Sequence, residues 1–119
     1  MQDLSKRARG HWGEARAAAH LRSLGFVIID RNWRPPEREL RGDLDVIAQC
    51  RDLIVFCEVK ARLNARFGGA AAAVDRAKQL QVRRLAASWL RQHDAADIDV
   101  RFDVIAIDGV TMTHHPGVF

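Results

Sequence analysis

Gly42-Asp43-Leu44-Asp45-Val46-Ile47-Ala48 and Leu53-Ile54-Val55-Phe56-Cys57-Glu58-Val59-Lys60 are two apolar runs, each interrupted by charge on one side. Both read as β-strands, because Val, Ile and Phe dominate them and turn-type residues bound them. A strand with a buried face that accepts an acid, or an acid and a base two positions apart, normally has chemistry there. Side chains two apart on a strand point to the same face, so Glu58 and Lys60 are expected to project together. A hairpin through Arg51-Asp52 would bring Asp45 alongside them. Two carboxylates and an ammonium at one spot are the groups needed to hold a divalent cation and attack a phosphodiester.

Working outward, Ser5 to Leu24 reads as a helix rich in Ala and Leu and stopped by Gly25. Phe26 to Trp33 reads as a first strand, followed by a charged, proline-containing loop from Pro35 to Arg41. The two quoted runs are strands two and three. A second loop, Ala61 to Gly69, carries Arg62, Asn64, Arg66 and the Gly68-Gly69 pair, and a long helix is expected from Ala71 to Gln92. Val100 to Ile107 is the last clear strand, stopped by Asp108-Gly109. The tail from Val110 to Phe119 adds a short strand or lies against the body. The order is α-β-β-β-α-β, without repeat or linker, and the 119 residues suit one domain spanning 1–119.

Hydrophobic content of 48% with 29% charged residues is that of an ordinary globular chain. The net charge of +4 comes mainly from arginine, which favours bidentate phosphate contacts, so nucleic acid is a reasonable partner. Cys50 and Cys57 form no CxxC motif and read as two reduced, small apolar side chains. No apolar stretch approaches a membrane span, and the N-terminus lacks the apolar core of a signal peptide; a cytoplasmic location is expected.

Both helices carry a charged residue on their apolar side. At 100° per residue, Glu14 lies within about 20° of Leu21, near Ala17 and Ala18, and Lys78 within about 20° of Leu85, on the stripe of Val74, Val82 and Trp89. A carboxylate turned toward a core is costly unless a cation or donor meets it. Glu14 is therefore either a helix-edge residue paired with an arginine or part of the site. Lys78 can lay its stem on apolar surface with its head in water.

With Asp45 and Glu58 on Mg²⁺, Lys60 would orient a water or offset developing negative charge, and Glu14 would hold a metal-bound water or complete a second metal site. Arg31, Arg34, Arg38 and Arg41 precede the Asp45 strand, and Arg62 and Arg66 follow Lys60; loops flanking the site would grip phosphates. Trp33 at a strand end fits a core role better than base stacking. Arg101 and Asp103 share a strand face and are expected to pair, and the His114-His115 pair reads as structural. There is no HExxH, GxSxG or GxxxxGK[ST] motif, and serine occurs only at positions 5, 23 and 88, which disfavours a serine hydrolase.

The ordered series Gly13-Glu14, Asn32-Trp33-Arg34, Gly42 to Ala48, Val55 to Arg62, Phe67-Gly68, Val74 to Lys78 and Arg101 to Val104 resembles the YraN family of the PD-(D/E)xK nuclease superfamily over nearly the whole chain. The resemblance implies an α/β, restriction-endonuclease-like core related to Holliday-junction resolvases, with a mixed central sheet flanked by helices. It implies Glu14, Asp45, Glu58 and Lys60 as catalytic positions. Asp45, Glu58 and Val59 are the positions expected to hold Mg²⁺ or Mn²⁺, and Arg34, Arg41, Arg62, Arg66 and Lys78 those expected to contact nucleic acid. The chain departs from the family at Asp43, where a glutamate is usual, in a longer 35–40 loop, and in its ending from Met112 to Phe119.

The function expected from these readings is metal-dependent hydrolysis of DNA, of branched or structured form by resemblance. Cutting both strands of a junction would need two active sites, which a symmetric homodimer supplies. The alternatives are a non-catalytic nucleic-acid-binding or accessory module with a weak site, and a structural partner in a larger complex.

Overall fold

Ser5 opens the first helix by accepting the Ala8 N–H on its Oγ at 3.1 Å, and α1 runs Lys6–Ser23 in the computed structural model, which describes residues 5–63, 74–95 and 97–119. Ala17, Ala18 and Leu21 form its buried stripe. Gly25, at φ +96°, turns the chain into β1 (Val27–Trp33). β2 (Leu44–Cys50) and β3 (Leu53–Arg62) form a hairpin closed by Arg51-Asp52, with Arg51 at φ +55°. After α2 (Arg76–Gln92) come β4 (Asp99–Asp108) and β5 (Thr111–His115).

α2 begins five residues later than the sequence pattern suggests. Asp75 is its N-cap and accepts the Lys78 N–H at 2.9 Å, satisfying a first-turn donor that has no intrahelical partner. The loop residues 64–69, Arg66 among them, and the expected first helical residues 71–73 lie outside the described residues.

The sheet order is β1-β2-β3-β4-β5, antiparallel throughout except for the parallel β3–β4 pair. A parallel pair needs a crossover, and α2 supplies it. The result is three layers. On one face α1 covers Val46, Ala48, Val55, Cys57, Ile105 and Ile107; on the other α2 covers Ile47, Ile54 and Phe56 with Val82, Leu85 and Trp89. This is the mixed, helix-flanked α/β core expected from the sequence, and the tail adds β5 at its edge. Trp33 packs against the α2-side core, the structural of its two expected roles. Cys50 and Cys57 are free thiols, and among the described residues no helix is long and apolar enough to cross a membrane.

Two local features set the site. At Gly13 a Cβ would lie 3.1 Å from that of Ala61 and 3.5 Å from Val59 Cγ1, so the missing side chain lets α1 sit close on β3 next to Glu14. In β1 the register slips between Ile28 and Asp30, a bulge that re-aims the strand's second half. The pairs Arg31↔Val46 and Trp33↔Leu44 then put Asn32, at φ +52°, opposite Asp45.

The tail is held by one buried acid. Arg101 grips Asp103 with two bonds of 2.8 Å, His114 Nε2 stands 2.7 Å from Asp103 Oδ2, and the Gly117 N–H donates to Oδ1 at 3.0 Å. His114 in turn meets His20 of α1 at 3.2 Å. Burial alone would raise the Asp103 pKa, but the Arg101 fork, the Gly117 amide and His114 outweigh it and hold the carboxyl below its usual range. Asp103→Ala removes the shared acceptor and is expected to cost about 3 kcal/mol, read by urea unfolding. Because the folded pKa is depressed, the carboxylate's stabilisation is full above the unfolded carboxyl pKa and is lost as pH falls through the folded value. The stability gap between wild type and Asp103→Ala should therefore narrow in acid.

Candidate active site

The β2–β3 ladder pairs Cys50↔Leu53 through Val46↔Cys57. Just beyond that last pair, carboxylates take over the bonding. Asp45 Oδ2 accepts the Val59 N–H at 2.9 Å, and the Asp45 N–H donates to the Glu58 carboxylate. Each acid is thus fixed by the backbone of the opposite strand, and the two are brought together as the sequence suggests.

Their environment opposes ionisation. Burial pushes Asp45 well above the usual carboxylate range, the neighbouring Glu58, Glu14 and Asp43 charges add to this, and the Val59 amide only partly offsets it. Glu58, 3% exposed, is also raised by burial, with the Lys78 ammonium and the Asp45 amide acting against it. Glu14 is raised by burial and by Asp43, and lowered by a hydrogen bond from Asn32 and by the nearby His11 and Arg31. Its Oε1 is buried and has no hydrogen-bond partner among the described residues. Four carboxylates from α1, the start of β2 and β3 therefore sense one another's charge.

Glu14 and Asp43 open into a cleft of about 570 Å³ whose walls also include Asn32, His11 and the cations Lys6, Arg7 and Arg34. Asp43 contributes to the acidic group, and Asn32 hydrogen-bonds to Glu14. Neither role was assigned from the sequence. Asp43 stood two residues from Asp45 as a visible signal, whereas the Asn32 contact depends on the β1 bulge.

The ammonium expected next to Glu58 was that of Lys60. The one in ion-pair range is Lys78, whose Nζ is 3.4 Å from Glu58 Oε1. Lys60 is exposed, makes no ion pair among the described residues, and lines a second cleft of about 300 Å³ with Lys6, Arg9 and Arg62. Val59 lines that second cleft while its amide serves Asp45. Of the expected nucleic-acid contacts, Arg34 borders the acidic cleft and Arg62 the second one. Arg41 lies in a separate hollow with Glu39 and Arg84, and Lys78 is engaged with Glu58.

Among the described residues no three His, Cys, Asp or Glu side chains form a ready-made metal cage. The donors nonetheless suit a hard divalent cation: they are carboxylate oxygens, they repel one another, and one buried oxygen of Glu14 lacks a partner among the described residues.

The fold and cleft define an α/β, nuclease-like domain with a clustered acidic site. The family model described as "Uncharacterised protein family UPF0102" matches residues 13–107, and the chain belongs to this family, the YraN family. A UPF0102 protein of Frankia casuarinae is 48% identical over 103 residues, covering 87% of this chain and 84% of its own. One from Acidothermus cellulolyticus is 38% identical over 130 residues, covering 97% and 96%, and one from Moorella thermoacetica is 41% identical over 104 residues, covering 87% and 83%. The matched region ends at the close of β4, so β5 and the His114–Gly117 clamp lie outside it.

A raised carboxyl pKa means that folding becomes less favourable as pH rises from the unfolded pKa through the folded one, and that the penalty is absent below both. Asp45→Asn keeps an oxygen for the Val59 N–H and removes the charge. It is expected to melt higher than wild type at pH 7, with the gain vanishing near pH 4, as followed by circular dichroism across that range. A gain that does not change with pH would contradict the assignment.

Proposed function

We propose that the protein is a divalent-metal-dependent phosphodiesterase acting on nucleic acid, with DNA as the preferred substrate. What supports this reading is the convergence of Glu14, Asp43, Asp45 and Glu58 in and beside a cleft rimmed by Lys6, Arg7 and Arg34. Raised carboxyl pKa values, as at Glu14, Asp45 and Glu58, are a mark of functional sites, and cations around an acid cluster suit a polyanion that must be brought to it.

In this proposal Asp45 and Glu58 would hold Mg²⁺ or Mn²⁺, with Glu14 and Asp43 adding negative charge nearby. The bound cation would neutralise the crowded carboxylates and polarise a phosphoryl oxygen. Glu14, whose pKa is raised by burial and whose buried Oε1 has no hydrogen-bond partner among the described residues, is suited to take a proton from the attacking water. Water adds to phosphorus, the ester P–O bond breaks, and the products are a phosphate monoester and a free hydroxyl. Lys78 holds the Glu58 carboxylate in place, and Arg7 and Arg34 grip the flanking phosphates.

A second reading, nucleic-acid binding without cleavage, is favoured by one observation: Glu58 Oε1 is already committed to Lys78. Purified protein with Mg²⁺ or Mn²⁺ and labelled linear, flapped and four-way DNAs separates the two. Cleavage is expected to fall about 100-fold or more in Asp45→Ala and Glu58→Ala. Cleavage unaffected by either substitution would remove these residues from the site, and binding without cleavage under both metals would select the second reading.

A further inference from the structure

The cleft lined by Lys60 includes none of the four carboxylates. Lys6 and Arg9 reach it from the start of α1, and Lys60 and Arg62 from the end of β3; among the described residues none that lines it is acidic. Asp108 stands opposite Arg62 in the β3–β4 register. Lys6, Lys60 and Arg62, from two elements, repel one another across about 300 Å³, an arrangement that an anion relieves. The start of α1 breaks a local preference in the same direction. Its first turn carries no acid, although acids are favoured at the positive end of the helix dipole.

The two clefts share two lining residues, Lys6 and Gly10. Gly10 lies inside α1, where glycine is a poor helix former, and a Cβ built on it meets nothing within 4 Å. The helix surface between the clefts is therefore open, with a lysine beside it.

We propose that the two clefts are one groove crossing α1 at Gly10, in which the phosphate next to the one at the carboxylates sits among Lys6, Arg9, Lys60 and Arg62. This gives Lys60 a place in gripping the strand, while Lys78 is the ammonium that serves Glu58. The inference rests on the nucleic-acid reading above and adds the path of the strand.

The test uses the full chain in EDTA, so that binding is read apart from cleavage, with a fluorescein-labelled DNA oligonucleotide, single-stranded or duplex, followed by anisotropy. Gly10→Ala and Gly10→Leu are both expected to raise the melting temperature, since each replaces a helical glycine. Gly10→Ala should bind within about twofold of wild type, and Gly10→Leu should bind more than tenfold more weakly because its side chain projects into the pass. Lys60→Ala and Arg62→Ala should each reduce the slope of log affinity against log salt by about one. Wild-type binding by Gly10→Leu, unchanged salt slopes, or no DNA binding by the wild type would each overturn the groove. Metal-dependent cleavage measured alongside keeps the two readings apart. If cleavage persists with Gly10→Leu binding normally, the hydrolase stands and the groove falls; if the binding pattern holds without cleavage, the groove stands and the hydrolase falls.

Discussion

Everything at the site follows from where the β2–β3 ladder stops. After Val46↔Cys57 the Asp45 carboxylate takes the Val59 N–H at 2.9 Å, and the Glu58 carboxylate takes the Asp45 N–H. The exchange holds two acids side by side in low dielectric, where their repulsion is strong. Gly13 lets α1 approach closely enough for Glu14 to join them, and the β1 bulge brings Asn32 to hold it. The site is thus built from backbone hydrogen bonding at the end of a hairpin and a helix that packs without a side chain at one position.

That arrangement costs stability, and the cost is local. Buried acids with raised pKa values, cations at the wrong end of α1 and a glycine within that helix each oppose folding. The surrounding core makes up for them: α1 and α2 bury apolar stripes on opposite faces of the sheet, and Asp103 ties Arg101, His114 and Gly117 together at the far edge. Local rules broken together in one region are the pattern expected of a functional site.

Much of this was legible in the sequence. Val, Ile and Phe runs gave the strands, helical periodicity placed Glu14 on the buried face, and the Arg101–Asp103 pair followed from two-residue spacing. Lys60 was harder because strand alternation fixes the face on which a side chain emerges, not which neighbour covers it. α2 lies over Ile54 and Phe56, so its own Lys78 reaches Glu58 first. The start of α2 depended on Asp75, an aspartate with no special mark until its carboxylate is seen on the Lys78 amide. Asn32 needed the bulge register, and His114 needed the tail to fold back along β4; both are long-range facts that local patterns do not carry.

The central claim is that the mutual repulsion of these carboxylates is relieved by a divalent cation. Thermal unfolding at neutral pH with increasing Mn²⁺ tests it most directly, since a ligand bound only by the folded state raises its stability. The account predicts a melting temperature that climbs with Mn²⁺ in the wild type and stays flat in Asp45→Asn. A flat wild-type response, or an equal climb in Asp45→Asn, would contradict it.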